Sequence, residues 1–281
     1  MQEVKKKDLV ELAMYMVFMF GVLYLTGCSN VDTKKEAESD TPHEQPVPED
    51  NGTPPEKKYP FIYDLRATPD VNMLWLADVA FVDPSLDVAV IESIKKYTEK
   101  VRAYVSCGTA EESRDNFSEL EPYIKKEKDS RGKEHKVKLE GYDEYILDPQ
   151  HKDEIVPILE KKFILAKSIG LTGVICDNAE FLTGVMLNEL KERANLLALS
   201  FGFVNALYIV DAGEASPDFH VVEQCNQYGE CNLVDKLVEK NVPIFHLEYK
   251  SKYCYPTPGH ETVLYGGDRE LYADRFERVC E

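Results

Sequence analysis

Five acidic residues follow short apolar segments of the chain, at positions where buried strands would end. They are Asp83, Glu111, Asp177, Glu223 and Glu248. A pair of carboxylates can cleave a glycosidic bond, because one protonates the leaving oxygen while the other attacks the anomeric carbon or activates water. The pattern therefore indicates a hydrolytic site for sugars, although any single acid after a strand is also a common helix cap or turn residue.

The acidity of the chain also restricts its partners. Neighbouring carboxylates repel one another, so at least one should have a raised pKa unless a metal ion or a cationic substrate is bound. The 281 residues carry a formal net charge of −18. Such a charge argues against nucleic acid and anionic lipid head groups as partners and favours a cationic or neutral one. It would equally serve to keep an exported protein soluble.

The elements that would position these acids are eight apolar runs without strict alternation, which is typical of parallel strands buried on both faces. The predicted strands are residues 61–65, 79–82, 101–106, 173–176, 199–204, 220–222, 243–247 and 262–265. Helical periodicity appears between them at 155–166 and 187–197, and we predict a last helix over 268–280.

Eight strands alternating with helices predict an α/β fold, a single-domain (β/α)8 TIM-like barrel over residues 59–281. The active site of such a barrel lies at the carboxyl ends of its strands, where the acids are predicted to be. A ninth strand candidate at 144–147 lies within segment 116–148, which we interpret as an elaborated connection after the third strand.

The first residues resemble an export signal. Lysines at 5–7 precede an apolar run over 12–25, which ends in Leu-Thr-Gly-Cys28. This tetrapeptide resembles the bacterial lipobox, whose cysteine is acylated and becomes the new N-terminus. We predict a signal peptide over 1–27 and a lipid on Cys28 that anchors the exported protein to the cell membrane or the outer membrane. An uncleaved anchor helix is the alternative, although the run is short for a span of ~20 residues.

Residues 28–58 predict a disordered tether between the lipid and the barrel. Five of the chain's fifteen prolines lie there, with few apolar residues. Such a segment buries too little surface to offset the entropy lost on ordering.

Seven cysteines occur, and six remain if Cys28 carries the lipid. An even number in an exported domain indicates disulfides, and a short loop can close between Cys225 and Cys231. A zinc site is the alternative, but it lacks the usual two-residue cysteine spacing and histidine pairing. We therefore expect no metal and no other cofactor.

The most specific motif is V-E-Q-C-N-Q-Y-G-E-C at 222–231. It resembles the E-Q-C-x-x-Y-x-E-C signature of the endo-α-1,4-polygalactosaminidases, glycoside hydrolase family 114. Further segments agree in order, namely G-x-x-E-x-x-R at 108–114, L-D at 147–148, G-V-x-x-D-N at 173–178 and E-Y at 248–249. The resemblance covers nearly all of 59–281.

The resemblance implies a barrel that cuts α-1,4-linked galactosamine polymers with two carboxylates. The implied catalytic residues are Asp177, as nucleophile or electrostatic stabiliser, and Glu223, as general acid/base. The residues implied to line the sugar site are Asp83, Glu111, Arg114, Asn178, Asn205, Glu248 and Tyr249.

We accordingly expect a monomeric glycoside hydrolase at a membrane surface, whose partner is a cationic amino-sugar polysaccharide. A non-catalytic carbohydrate-binding lipoprotein on the same barrel is the alternative, because fold alone does not separate the two. The presence of both Asp177 and Glu223 favours the enzyme.

Overall fold

The computed structural model describes residues 52–266 and 271–281. The predicted signal peptide, Cys28 and most of the predicted tether lie outside these described residues. All described residues belong to one compact unit, Gln45–Glu281. None of the helices within 52–266 and 271–281 has the length and apolar character needed to cross a bilayer.

The described part of the chain begins within the predicted tether. Residues 52–58 have no regular secondary structure. The ammonium of Lys57 nevertheless donates to the carbonyl oxygens of Trp75 at 2.9 Å and Ala77 at 2.7 Å. Lys57 is therefore already fixed to the barrel.

Strands and helices alternate along most of the described chain. The strands are β1 (Tyr59–Asp64), β2 (Ala77–Val82), β3 (Lys100–Ser106), β4 (Thr109–Glu111), β5 (Lys126–Lys128), β6 (Glu134–Lys136), β7 (Glu144–Ile146), β8 (Gly173–Asp177), β9 (Ser200–Val204), β10 (Phe219–Glu223), β11 (Ile244–Glu248), β12 (His260–Tyr265) and β13 (Phe276–Val279). The helices are α1 (Val71–Trp75), α2 (Val88–Lys95), α3 (Phe117–Leu120), α4 (Lys152–Ser168), α5 (Gly184–Leu196), α6 (Leu207–Ala212), α7 (Cys225–Tyr228) and α8 (Asp235–Glu239).

Nine strands form one sheet in the order β1-β2-β3-β8-β9-β10-β11-β12-β13. The pairs from β1 to β12 are parallel, and β13 is antiparallel to β12. The amide of Tyr63 donates to the hydroxyl of Tyr265 at 2.7 Å, and the rings of Tyr59 and Phe276 lie 4.5 Å apart. These contacts bring the two edges together. The sheet is therefore a nearly closed barrel with eight parallel strands, which confirms the predicted architecture.

Burial on both faces explains the apolar runs that predicted the strands. Side chains directed into the barrel form a core rich in aromatic rings. These residues are Phe61, Tyr63, Val79, Phe81, Ile175, Val204, Phe219, Val221, Phe245, Leu247, Val263 and Tyr265. The intervening outward side chains pack beneath the helices, including α4 and α5, which match the two helices predicted from periodicity. A strand enclosed in this way has no solvent face and so shows no polar alternation.

The connection after β3 is elaborated, as predicted. The candidate strand at 144–147 is observed as β7, but it pairs antiparallel with β4 in a separate two-stranded sheet. It therefore does not add a strand to the barrel. Strands β5 and β6 form a second small hairpin in the same segment.

The predicted last helix over 268–280 is wrong in its described part. Residues Phe276–Val279 form β13 instead, paired with β12. The three-residue spacing of Phe276 and Val279 resembles a helical repeat, but a strand here covers the backbone groups that β12 would otherwise leave unpaired at the edge. Disulfide Cys254–Cys280 then ties the end of the chain to the segment after β11.

Three disulfides join the described cysteines. The predicted pair Cys225–Cys231 is confirmed. Cys107–Cys176 links the end of β3 to β8, directly before Asp177.

Candidate active site

Asp177 is the last residue of β8, and strand alternation directs its side chain into the barrel with Ile175. The hydroxyl of Tyr104, from the neighbouring β3, donates a short hydrogen bond to its Oδ2. The backbone amide of Asn178 donates to Oδ1 at 2.7 Å. Two donors from different elements therefore fix both oxygens of this carboxylate.

Glu223 ends β10 and also points inward, following Phe219 and Val221. The hydroxyl of Tyr249 donates to its Oε1 at 2.5 Å. The side chain of Asn205 makes two hydrogen bonds to Glu223. Its Nδ2 donates to Oε2 at 3.3 Å, and its Oδ1 accepts from the backbone amide of Glu223 at 2.9 Å. The structure thus gathers Glu223, Asn205 and Tyr249, which the sequence had placed in one site.

The chain turns sharply after both acids. Asn178 and Gln224 have left-handed backbones, with φ of 56° and 59°. This conformation is unfavourable by about 1–2 kcal/mol for residues other than glycine, and asparagine tolerates it better than most. It turns the Asn178 amide back onto Asp177 and allows the Gln224 amide to donate to the Leu247 carbonyl at 2.8 Å. Strained turns of this kind concentrate at functional sites.

The two acids have raised pKa values. Removal from water raises the pKa of Glu223 to about 7, and the nearby charge of Asp177 adds to this effect. Desolvation also raises the pKa of Asp177, although hydrogen bonds from Tyr104 and the Asn178 backbone partly offset it. Near neutral pH one carboxyl can therefore carry a proton while its neighbour is ionised, as glycoside hydrolysis requires.

A cavity of about 470 Å³ opens beside Tyr104 and Ser106. Its wall holds Arg114 between two carboxylates. The guanidinium donates to Glu111 at 2.9 Å and makes a short bond to Asp83. The predicted sugar-site residues Asp83, Glu111 and Arg114 thus form one ion-paired cluster at this cavity.

Glu248 does not enter the mouth of the barrel. Leu247 points inward, so the next side chain on β11 points outward. There the fully buried Glu248 carboxylate lies 2.9 Å from Nε2 of His246 and accepts from the backbone amide of Asn226 at 2.9 Å. This placement corrects the sequence prediction. Glu248 holds the start of α7 from behind the barrel wall and does not line the sugar site.

Two residues at the site are absent from the predicted site residues. Tyr104, on β3, contacts Asp177. It lies two residues before Ser106, the last residue of β3, so its side chain points into the barrel near the strand end, and this position could have identified it. Glu144 on β7 accepts hydrogen bonds from Thr109 at 2.6 Å and Asn178 at 3.1 Å. No local pattern marks it, because its partners lie far away in the sequence.

One group among the described residues has the composition of a metal site, namely Cys225, Cys231, His246 and His260. The two cysteine sulfurs are bonded to each other, so they are not thiolate ligands. The donor set therefore does not fit zinc while the disulfide is intact.

An eight-stranded parallel barrel with inward carboxylates at the carboxyl ends of its strands has the architecture of a barrel-type glycosidase. The model of glycoside-hydrolase family GH114 matches residues 41–280, and the chain belongs to this family.

Solved structures share the fold. Ega3 from Aspergillus fumigatus, in complex with galactosamine, superposes with a TM-score of 0.63 at 20% identity, covering 81% of this chain and 96% of that one. The glycoside hydrolase domain of a PelA variant from Pseudomonas aeruginosa gives 0.53 at 13% identity, covering 74% and 93%. The maltogenic α-amylase AmyB from Thermotoga neapolitana gives 0.52 at 8% identity, covering 76% and 70%. No curated protein sequence matches the chain.

Proposed function

We propose that this glycosidase hydrolyses an α-linked, galactosamine-type polysaccharide, with Asp177 and Glu223 as its catalytic pair. The observation that carries the proposal is the inward projection of both carboxylates from the ends of β8 and β10, each held by a tyrosine hydroxyl. The membership of the chain in family GH114 supports the same chemistry.

The environments of the two acids suggest their roles. Glu223, with a pKa of about 7, holds a proton that it can give to the glycosidic oxygen as the bond breaks. Asp177 accepts two hydrogen bonds, which favour its ionised form and suit it to stabilise or attack the anomeric carbon. Glu223, once deprotonated, can then serve as the base that activates water.

The charges of the site favour a cationic sugar. Arg114 already neutralises part of the charge of Asp83 and Glu111. The side-chain donors to Asp177 and Glu223 are uncharged hydroxyls and amides. These carboxylates are therefore available to an ammonium group, and Ega3, which shares the fold, is described in complex with galactosamine.

The test is the release of reducing ends from a de-N-acetylated galactosamine polymer by the purified protein. Asp177→Asn and Glu223→Gln should each abolish release, because each removes one of the two carboxyl groups that the reaction requires. Glu192→Gln, an exposed acid on α5, is the matched control and should retain wild-type activity. Variants that keep cleaving would overturn the assignment of the pair.

Carbohydrate binding without cleavage is the alternative function. It predicts that the wild-type protein retains the polymer in a binding assay yet releases no reducing ends from galactosamine or glucosamine polymers. Cleavage by the wild type eliminates it.

We further propose that the protein is exported and acts as a monomer anchored by a lipid on Cys28. The L-T-G-C sequence before the proline-rich segment supports export and lipid anchoring. Metabolic labelling with an alkyne fatty acid should label the wild type and leave Cys28→Ala unlabelled and released from the membrane. Equal labelling of both forms would contradict the anchor.

A further inference from the structure

Glu144 occupies an unfavourable position for an acidic side chain. It is the first residue of β7 and lies directly opposite Glu111 of β4 in an antiparallel pair. Like charges at directly opposed positions destabilise a sheet. Arg114 compensates Glu111, whereas Glu144 receives only uncharged donors. Sheet stability therefore does not account for the carboxylate at this position.

The contacts of Glu144 lead towards Asp177. Its Oε2 accepts from the Thr109 hydroxyl at 2.6 Å and from the side-chain amide of Asn178 at 3.1 Å. The same amide lies 3.1 Å from the Thr109 hydroxyl and 3.3 Å from that of Ser106. The Glu144 carboxylate thus binds Thr109 and Asn178 directly, and these two side chains in turn contact Ser106 at the end of β3.

Asn178 transmits this contact to the acid. Its left-handed backbone, with φ of 56°, directs its own amide at Oδ1 of Asp177. Fixing the Asn178 side chain therefore fixes the turn that orients Asp177. The turn is packed from the other side by Gly108, where an added Cβ would lie 1.8 Å from the Asn178 carbonyl oxygen.

We propose that Glu144 is a positioning residue for Asp177, through which the β4–β7 excursion becomes part of the active site. The inference rests on the proposed catalytic role of Asp177. Electrostatics supports it, since burial, then the charges of Glu111 and Asp177, raise the pKa of Glu144. By reciprocity, the charge of Glu144 raises the pKa of Asp177.

The first experiment compares kcat and KM for cleavage of the de-N-acetylated galactosamine polymer. Glu144→Ala should lower kcat by about 10- to 100-fold, the usual scale for a slightly displaced catalytic group. KM should change by less than about twofold, since the residue acts through Asp177 and not on the ground-state substrate. Glu140→Gln, an exposed acid in the same excursion, is the control and should match the wild type.

Glu144→Gln separates position from charge. Its carbonyl oxygen can accept the same two hydrogen bonds, so kcat should stay within about threefold of the wild type. The loss of a nearby negative charge should move the acidic limb of the pH–rate profile to lower pH. A loss confined to KM, or a wild-type kcat in Glu144→Ala, overturns the proposal. If the alanine variant does not fold, Glu144→Asp, which withdraws the carboxylate from Asn178, replaces it.

A second measurement decides the matter without catalysis. The pKa of Asp177 is followed by carboxyl carbon NMR in the Glu223→Gln background, so that Glu223 does not titrate alongside it. Glu144→Gln should lower this pKa through lost repulsion. Glu144→Ala should give a higher pKa of Asp177 than Glu144→Gln does, because the backbone amide of Asn178 is no longer held against Asp177. Equal pKa values in the two variants would overturn positioning. An inactive wild type would instead overturn the proposed function alone.

Discussion

The hydroxyl of Tyr249, just after β11, donates a 2.5 Å hydrogen bond to Oε1 of Glu223 at the end of β10. This bond stabilises the ionised carboxylate and lowers its pKa, whereas desolvation and the charge of Asp177 raise it to about 7. The balance between these effects sets the pH at which the proposed acid loses its proton.

Tyr249→Phe should therefore shift the pH dependence of cleavage. In the wild type, kcat/KM should fall as pH rises through about 7, where Glu223 loses its proton. Without the tyrosine hydroxyl the pKa of Glu223 rises, so the basic limb should move to higher pH. The measurement is the pH profile of kcat/KM on the galactosamine polymer. Tyr145→Phe, which removes a hydroxyl bonded to Glu112, should leave the limb in place. A shift to lower pH in Tyr249→Phe would contradict the assignment.

Glu223→Gln should stabilise the fold at alkaline pH while abolishing cleavage. The folded pKa of Glu223 is raised from 4.5 to about 7. Its contribution to stability is thus fully present below pH 4.5 and lost as pH rises through 7. Since one pKa unit corresponds to about 1.4 kcal/mol, the variant should gain roughly 3 kcal/mol at pH 8 relative to the wild type. Urea denaturation at pH 4 and pH 8 checks this, and a difference independent of pH would contradict it.

Gly108→Ala should disrupt the turn that carries Asp177. The added methyl would lie 1.8 Å from the Asn178 carbonyl oxygen, so the backbone must shift. We expect a loss of about 1–3 kcal/mol in unfolding free energy together with a strong fall in kcat. Gly213→Ala is the control, since no atom lies near its added Cβ and only its positive φ is strained. Normal kcat in Gly108→Ala would show that the turn tolerates displacement.

Glu248→Ala distinguishes a sugar contact from a structural role. The buried carboxylate pairs with His246 and accepts from the Asn226 amide. Removing the carboxylate leaves the buried Asn226 amide without its acceptor, which costs about 1–3 kcal/mol, so Tm should fall. The change should be milder in Glu248→Gln, which keeps an acceptor for Asn226. A normal Tm with a raised KM would restore the role that the sequence suggested.

Tyr228→Ala tests the exposed aromatic residue of the E-Q-C signature. Its side chain is 59% exposed at the end of α7, five residues after Glu223. Aromatic faces stack on sugar rings. The variant should raise KM for the polymer several-fold while leaving Tm unchanged, because no core packing is lost. Leu196→Ala, 82% exposed at the carboxyl end of α5, is the control on another part of the surface. An unchanged KM would exclude Tyr228 from substrate binding.

The sequence by itself determined the barrel and much of its mouth. Apolar runs without alternation predicted eight parallel strands, because a strand buried on both faces has no polar side. Acids placed directly after those runs lie at the same end of the barrel, since parallel strands share a direction. The short spacing of Cys225 and Cys231 likewise identified a disulfide, which the structure confirms.

Only the tertiary structure decided which side chains meet. Glu144 and Asn178 are 34 positions apart, and Tyr104 and Asp177 are 73 apart, so no local pattern could join them. Glu248 lies outside the barrel because side chains alternate along β11, and the acidic pattern alone did not show this alternation. The terminal segment forms β13 because it pairs with backbone groups of β12 that would otherwise be left without hydrogen bonds at the edge of the sheet. These outcomes depend on the closure of the sheet, which brings distant backbone and side-chain groups within hydrogen-bonding distance.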